Sequence, residues 1–252
     1  MNLANPPDKT PPNVAHKTFH SAVLGGEVGC NVYLPPGYGE DSQRYPVAYH
    51  FHGWQGNESS DIWALQKVCE NRRAITVFVN AITSPKNSYP DHLRILESMF
   101  ITELIPHIDG TYRTHATREK RMLSGFSMGG AIAFWYAVKH PELFGAVTPY
   151  AGTYHHQFHK DYRGLGEPLE KAAELYDGMI RDKRDFEPGN ILCLVRQNAD
   201  QIRGRLDINM HIGTADILLC DNEILHAHLN ALDIPHAYKT FEGVGHELDK
   251  IL

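Results

Sequence analysis

Apolar and polar positions along this chain switch period repeatedly, between two and roughly three and a half, and each switch marks a predicted strand or helix. Positions 17–24 and 28–34 alternate about Gly25-Gly26, which predicts an antiparallel hairpin. Short apolar or alternating runs at 46–52, 74–80, 120–124, 143–150, 206–212 and 237–241 read as strands of a sheet covered on both faces. Helical spacing lies between them. Ile62, Leu65, Val68 and Cys69 share a face in a predicted helix 61–72, with Asp61 as its cap. Leu93, Leu96, Phe100, Leu104 and Ile108 do the same over 91–109. Further helices are predicted at 130–140, stopped by Pro141, at 170–176, and at 188–202 with Pro188 in the first turn. Strand and helix in alternation predict an α/β fold: a mostly parallel, doubly wound sheet entered through an N-terminal antiparallel hairpin. Residues 151–205 are long for a connection between strands and read as a helical cap insertion within a single domain, 1–252.

Composition narrows the picture only in places. A chain of 252 residues can bury one full core. Its net charge of −6, with no basic run, excludes a general nucleic-acid binder. No apolar stretch reaches the ~18 residues of a membrane span. The first twelve residues are polar and proline-rich and lack the layout of a secretory signal. Cys30, Cys69, Cys193 and Cys220 form no C-x-x-C pair, so reduced thiols and a cytoplasmic location are expected. A signal peptide removed beforehand would leave the same sequence, so secretion stays open. A homo-oligomer stays open too.

Candidate chemistry centres on Gly125-Phe126-Ser127-Met128-Gly129, a G-x-S-x-G between a predicted strand and a predicted helix. In that setting the motif reads as a nucleophile elbow, which strains the Ser127 backbone and lifts its hydroxyl out of the sheet. A serine hydroxyl needs a base, and the base an orienting acid. Two later strands end in suitable loops. One runs into Gly213-Thr214-Ala215-Asp216, the other into Gly243-Val244-Gly245-His246. Ser127, Asp216 and His246 thus all fall just past a strand, in the chain order that α/β-hydrolases use. Asp200 and Asp221 compete for the acid but sit inside predicted helices, and Glu247 is too near His246 in sequence.

The strand at 46–52 leads into Gly53-Trp54-Gln55-Gly56-Asn57. An oxyanion hole built from that loop and the elbow would use the Trp54 and Met128 amides. Trp54, Tyr89 and Tyr154 are candidate substrate contacts, with Trp63 as a further aromatic and the 81–90 loop carrying Tyr89 on the Ser127 side. In the cluster His155-His156-Gln157-Phe158-His159, two histidines four apart could share a helix face and bind a metal, but no third ligand has a fitting spacing, so no metal and no cofactor is expected. His50 and His52 alternate on a buried strand and are expected to satisfy local hydrogen bonds. Trp135 and Tyr136 are expected in the core.

These residues resemble an esterase family that includes esterase D (S-formylglutathione hydrolase), feruloyl and acetylxylan esterases and mycolyltransferases. The resemblance runs from about Tyr33 to His246. It rests on Tyr33-Leu34-Pro35-Pro36-Gly37-Tyr38, Tyr45-Pro46-Val47, His52-Gly53, Gly125 to Gly130, His140-Pro141-Glu142-Leu143-Phe144, Gly213 to Asp216 and Gly245-His246. It implies an α/β-hydrolase fold, Ser127, Asp216 and His246 as the triad, and oxyanion donors on Trp54 and Met128. It also implies a small-molecule or carbohydrate-linked ester as substrate, of feruloyl or acetyl-sugar type. S-formylglutathione, another thioester or acyl transfer is the rival. A non-catalytic binding protein on the same scaffold is the reading from another class.

Overall fold

The computed structural model describes residues 2–81, 89–154 and 190–252. Their strands are β1 (Asn2–Leu3), β2 (Val14–Ser21), β3 (Gly26–Tyr33), β4 (Val47–Phe51), β5 (Ile75–Val79), β6 (Arg121–Phe126), β7 (Ala146–Tyr150), β8 (Asp207–Gly213) and β9 (Ala237–Phe241). All belong to one sheet, in the spatial order β3, β5, β4, β6, β7, β8, β9. β2 runs antiparallel along the outer edge of β3, and β3 runs antiparallel to β5. From β5 to β9 every neighbour is parallel. The hairpin and the parallel sheet are therefore as the apolar pattern requires. The polar N-terminal stretch carries no strand pattern, yet Asn2 and Leu3 pair in parallel with Glu27 and Val28.

Side chains from β3 and β5 divide between two apolar layers. Val28, Cys30, Val32, Ile75, Val77 and Val79 enter the larger one, and Tyr33 and Phe78 the smaller one on the opposite face. The larger layer is roofed by α2 (Tyr89–Met99), α3 (Ile105–Thr111), α4 (Met128–Lys139), α5 (Ile191–Ile202) and the buried side of α6 (Leu219–Ala231). The smaller one is closed by α1 (Gln66–Arg72) and a C-terminal 3₁₀ turn at Leu248–Lys250.

Four helical expectations are revised. The helix predicted at 61–72 begins only at Gln66, because the Asp61 carboxylate is engaged elsewhere, accepting from His50 Nε2 at 3.0 Å. The helix predicted at 91–109 begins at Tyr89 and contains a π-helical turn, Phe100–Leu104. Pro106 accounts for that turn. It has no N–H to give the Thr102 carbonyl, and its ring would collide there. The ladder slips instead, and the Ile105 N–H donates to Phe100 O, five residues back. The slip leaves all five predicted inward residues buried. Phe100 lies among Tyr49, Phe51, Tyr136 and Phe144, with ring centroids 5.0–6.0 Å apart.

The helix predicted from Pro188 starts at Ile191. Asn190 caps it, its side chain accepting from the Leu192 and Cys193 amides. Ile191, Val195, Ala199 and Ile202 bury one stripe of α5 in the larger layer. The C-terminal part of the expected 151–205 insertion is thus a layer helix of the sheet and not a cap. Residues 155–189, including the predicted helix 170–176, lie outside the described residues. All four cysteines are free thiols.

Candidate active site

β6 delivers Ser127 to the mouth of the sheet, and α4 begins with the next residue. Between them the Ser127 backbone has φ 55° and ψ −117°, a conformation that L-residues rarely adopt. It is over-determined by its neighbours. The Ser127 amide donates to Tyr150 O at 2.9 Å, and Ser127 O accepts from Ala131 N at 3.1 Å and Thr153 N at 3.2 Å. The flanking glycines are sterically required. A Cβ on Gly125 would lie 2.1 Å from Gly129 O, and one on Gly129 would lie 2.0 Å from Phe51 O. Strand β6, helix α4 and strand β4 therefore approach as closely as bare backbone allows.

The second piece forms where β8 and β9 end. A Cβ on Gly213 would lie 2.0 Å from Val244 O, so the two loops touch backbone to backbone. Thr214 N donates to Phe241 O and Ala215 N to Val244 O, both at 2.9 Å. Gly243, at φ 69°, turns the later loop back over the sheet and donates to Thr214 Oγ1 at 2.8 Å. These contacts bring His246 onto Asp216. Its Nδ1 lies 2.8 Å from Asp216 Oδ2, while Asp216 Oδ1 accepts from the Leu218 amide at 2.8 Å. The Asp216 side chain is wholly buried and that of His246 partly exposed. Because the carboxylate oxygen can only accept, Nδ1 donates this bond, and in the neutral ring the lone pair is then on Nε2.

Phe126, the residue before Ser127, stacks on the imidazole of His246 with centroids 4.6 Å apart and rings 28° from parallel. This seats the histidine over the elbow. Sequence reasoning passed over Phe126 because the second position of G-x-S-x-G carries no chemistry of its own.

The third piece is the loop after β4. A Cβ on Gly53 would lie 3.5 Å from Ser127 Cβ, so this loop abuts the elbow. Met128 opens α4, where its amide has no helical partner of its own. His50 and His52 satisfy local hydrogen bonds. His50 accepts from Ser124 Oγ at 3.0 Å and donates to Asp61, and buried His52 donates from Nδ1 to Gly53 O at 2.8 Å and accepts at Nε2 from the Ala81 amide at 3.0 Å. Burial, the largest effect, pulls the His52 pKa below the ordinary histidine value, partly opposed by the Gly53 carbonyl. Farther along the loop, Glu58 is buried and accepts from the Asn5 amide at 2.5 Å, from Asn5 Nδ2 at 3.1 Å and from His16 Nε2 at 3.0 Å.

The aromatic candidates separate. Trp54 and Trp63 are 47% and 54% exposed on the loop after β4. Tyr154 is 1% exposed and packs edge-on against Phe134, so its ring belongs to the core and presents no face to a ligand. Tyr89 opens α2, and its side chain lies outside the described residues. His155, His156 and His159 also lie outside them. Among the described residues no group of three or more His, Cys, Asp or Glu is placed to hold a metal ion, and no helix is long and apolar enough to cross a membrane. The rival acids stand apart: Asp200 is in α5, paired with Arg203 at 2.6 Å, and Asp221 is in the first turn of α6.

A family model described as "Putative esterase" matches residues 21–248. An esterase of Mycobacterium tuberculosis is 30% identical over 149 residues, 56% of this chain and 32% of that protein. An endo-1,4-beta-xylanase/feruloyl esterase of Xylanibacter ruminicola is 34% identical over 151 residues, 53% of this chain and 20% of that protein. The match thus spans about a third of one relative's length and a fifth of the other's. A solved structure described as a ferulic acid esterase superposes with a TM-score of 0.74 at 21% identity, covering 94% of this chain and 92% of that one. The shared architecture is the α/β-hydrolase fold.

Proposed function

Given that the chain belongs to this esterase family, we propose that it hydrolyses carboxylic esters through an acyl-enzyme on Ser127. The observation that carries the reading is the buried Asp216–His246 pair, 2.8 Å apart, with the imidazole stacked on the residue that precedes Ser127. His246 Nε2 takes the Ser127 proton as Oγ attacks the ester carbonyl. Asp216 holds the tautomer and stabilises the imidazolium. The Trp54 and Met128 amides receive the developing oxyanion, each worth a few kcal/mol of barrier (on the order of 3) where such donors have been removed. The imidazolium then protonates the leaving alkoxide. Water, deprotonated by the same nitrogen, releases the acid and regenerates Ser127.

For the substrate we favour a feruloyl or acetyl-sugar ester. Two exposed tryptophans on the loop after β4 offer flat apolar faces to an aromatic acyl group or a sugar ring. A relative that carries the words feruloyl esterase in its name lends weight to the same choice. Neither step calls for a metal or cofactor.

The test is fluorophosphonate labelling followed by rates on methyl ferulate, acetylated xylan and S-formylglutathione. Stoichiometric label on Ser127, with methyl ferulate or acetylated xylan turned over fastest, is the expected result. A chain that takes no label and turns over none of the three is a binding protein on a hydrolase scaffold. Preference for S-formylglutathione would keep the mechanism and replace the substrate.

A further inference from the structure

We propose that His52 is a positioning residue of the oxyanion hole, aiming the Trp54 amide at the ester through its hold on the Gly53 carbonyl. The inference rests on the serine-esterase reading and adds to it a residue outside the triad and its donors.

The geometry turns on one peptide unit. Gly53 C=O and Trp54 N–H belong to the same planar, trans peptide, so the two bonds point in opposite directions. Whatever fixes the carbonyl also fixes the amide. Gly53 O accepts two hydrogen bonds, from His52 Nδ1 at 2.8 Å and from the Gly56 amide at 3.1 Å. The Trp54 N–H is therefore turned away from the His52 ring. The loop is tight around this anchor. A Cβ on Gly56 would lie 3.0 Å from His52 Nδ1, while one on Gly53 would lie 3.5 Å from Ser127 Cβ. Gly53 thus meets the imidazole through its carbonyl and the elbow through its Cα.

His52 can do this only in one tautomer. The Ala81 amide donates to Nε2 at 3.0 Å, which demands a lone pair there and leaves the proton on Nδ1, facing Gly53 O. Ala81 follows the end of β5, so the ring bridges the carboxyl ends of two adjacent parallel strands. An oxyanion donor acts by being already aimed before charge develops. A loop held only by its own turn would have to reorganise at each reaction. The imidazole links that loop to the sheet.

Two variants separate positioning from packing. His52→Phe keeps the ring and removes both hydrogen bonds. His52→Asn loses the ring but places an amide N–H near the position of Nδ1. With a soluble feruloyl ester, H52F is expected to lower kcat about 10²-fold, the scale of a lost oxyanion donor, with KM within threefold. Affinity for an alkyl boronic acid, which forms a tetrahedral adduct on the serine, should fall in parallel with kcat/KM. H52N should recover at least tenfold of the lost kcat. Three results would overturn the assignment: kcat for H52F within threefold of wild type, boronate affinity unchanged while kcat falls, or H52N as slow as H52F. If H52F does not fold, His52→Gln takes its place, since its amide reaches the Nε2 position and not Nδ1. H52N should then exceed it tenfold, and equal rates count against the proposal. Wild-type protein that takes no fluorophosphonate on Ser127 would defeat the esterase reading and this assignment together. Labelled wild type with an unaffected H52F defeats the assignment alone.

Discussion

Phe126 and His246 stack ring on ring, 4.6 Å between centroids and 28° from parallel, although 120 positions separate them in the chain. One is the neighbour of the proposed nucleophile and the other the proposed base. The stack limits the imidazole to rotation in its own plane, and Asp216 limits that rotation. Phe126→Ala should free the ring and lower kcat about tenfold with little change in KM, since misplacement of about 1 Å can cost up to 10²-fold. Phe126→Tyr keeps the face and should stay within twofold. Steady-state kinetics on one activated ester decide the matter, and equal rates for both variants would remove any role for the stack.

Ser127, the proposed nucleophile, also sits in a strained backbone conformation. Ser127→Ala should lower kcat by about 10⁴ to 10⁶ and leave the fold intact. Ser127→Gly should be equally inactive but more stable than Ser127→Ala, by about 1 kcal/mol, because glycine occupies φ 55° without a Cβ penalty. For a chain of this size that is a rise of roughly 2 °C in Tm. A glycine variant that melts below the alanine variant would show that the backbone there is relaxed.

The acid is tested by a pair of isosteric changes. Asp216→Asn can turn an N–H toward His246 and favour the wrong tautomer, a change that costs up to about 10⁴ in kcat. Asp221 is only 2% exposed, so it is no surface position, as a helix of open face would make it. Asp221→Asn should therefore lower Tm while kcat/KM per folded molecule stays within about threefold. If Asp221→Asn is the crippled enzyme, the acid is misassigned.

Acid should destabilise the fold through His92. Burial, aided by nearby His52, holds its imidazole down to about 4. The unfolded chain takes up that proton near pH 6.5. Between these values the unfolded state binds more protons, so stability falls as pH falls from about 6.5 towards 4, by up to about 3 kcal/mol. Urea unfolding at pH 7.0, 5.5 and 4.5 should show a shallower acid loss in His92→Gln than in wild type. Parallel losses would contradict the depressed pKa.

The elements legible in the sequence were those whose cause is local. β9 alternates and is bounded by turn residues, and its limits, Ala237 to Phe241, were readable as they stand. The elbow was readable because glycines 125 and 129 have one steric reason to be there. What escaped notice depends on distant partners. Asp61 looks like a helix cap until His50 claims its carboxylate. Tyr154 looks like a ligand contact until Phe134 covers it. β1 has no pattern because its pairing is supplied by β3. Pro106 was a local signal overlooked: an imino acid inside a long apolar stripe had to break the α-helical ladder somewhere.

Glu58 gives the N-terminal segment a reach beyond its length. The carboxylate sits four residues past Trp54, has no solvent around it, and takes two of its hydrogen bonds from Asn5 and a third from His16. Loss of Asn5 would take two of these three hydrogen bonds from a buried carboxylate in the wall of the loop that presents Trp54, and that loop would shift to wet it. Asn5 is therefore part of the wall of the candidate site although it lies 122 positions before Ser127. A substitution at Asn5 would then be felt as turnover lost at a distance, through the loop and not through the triad.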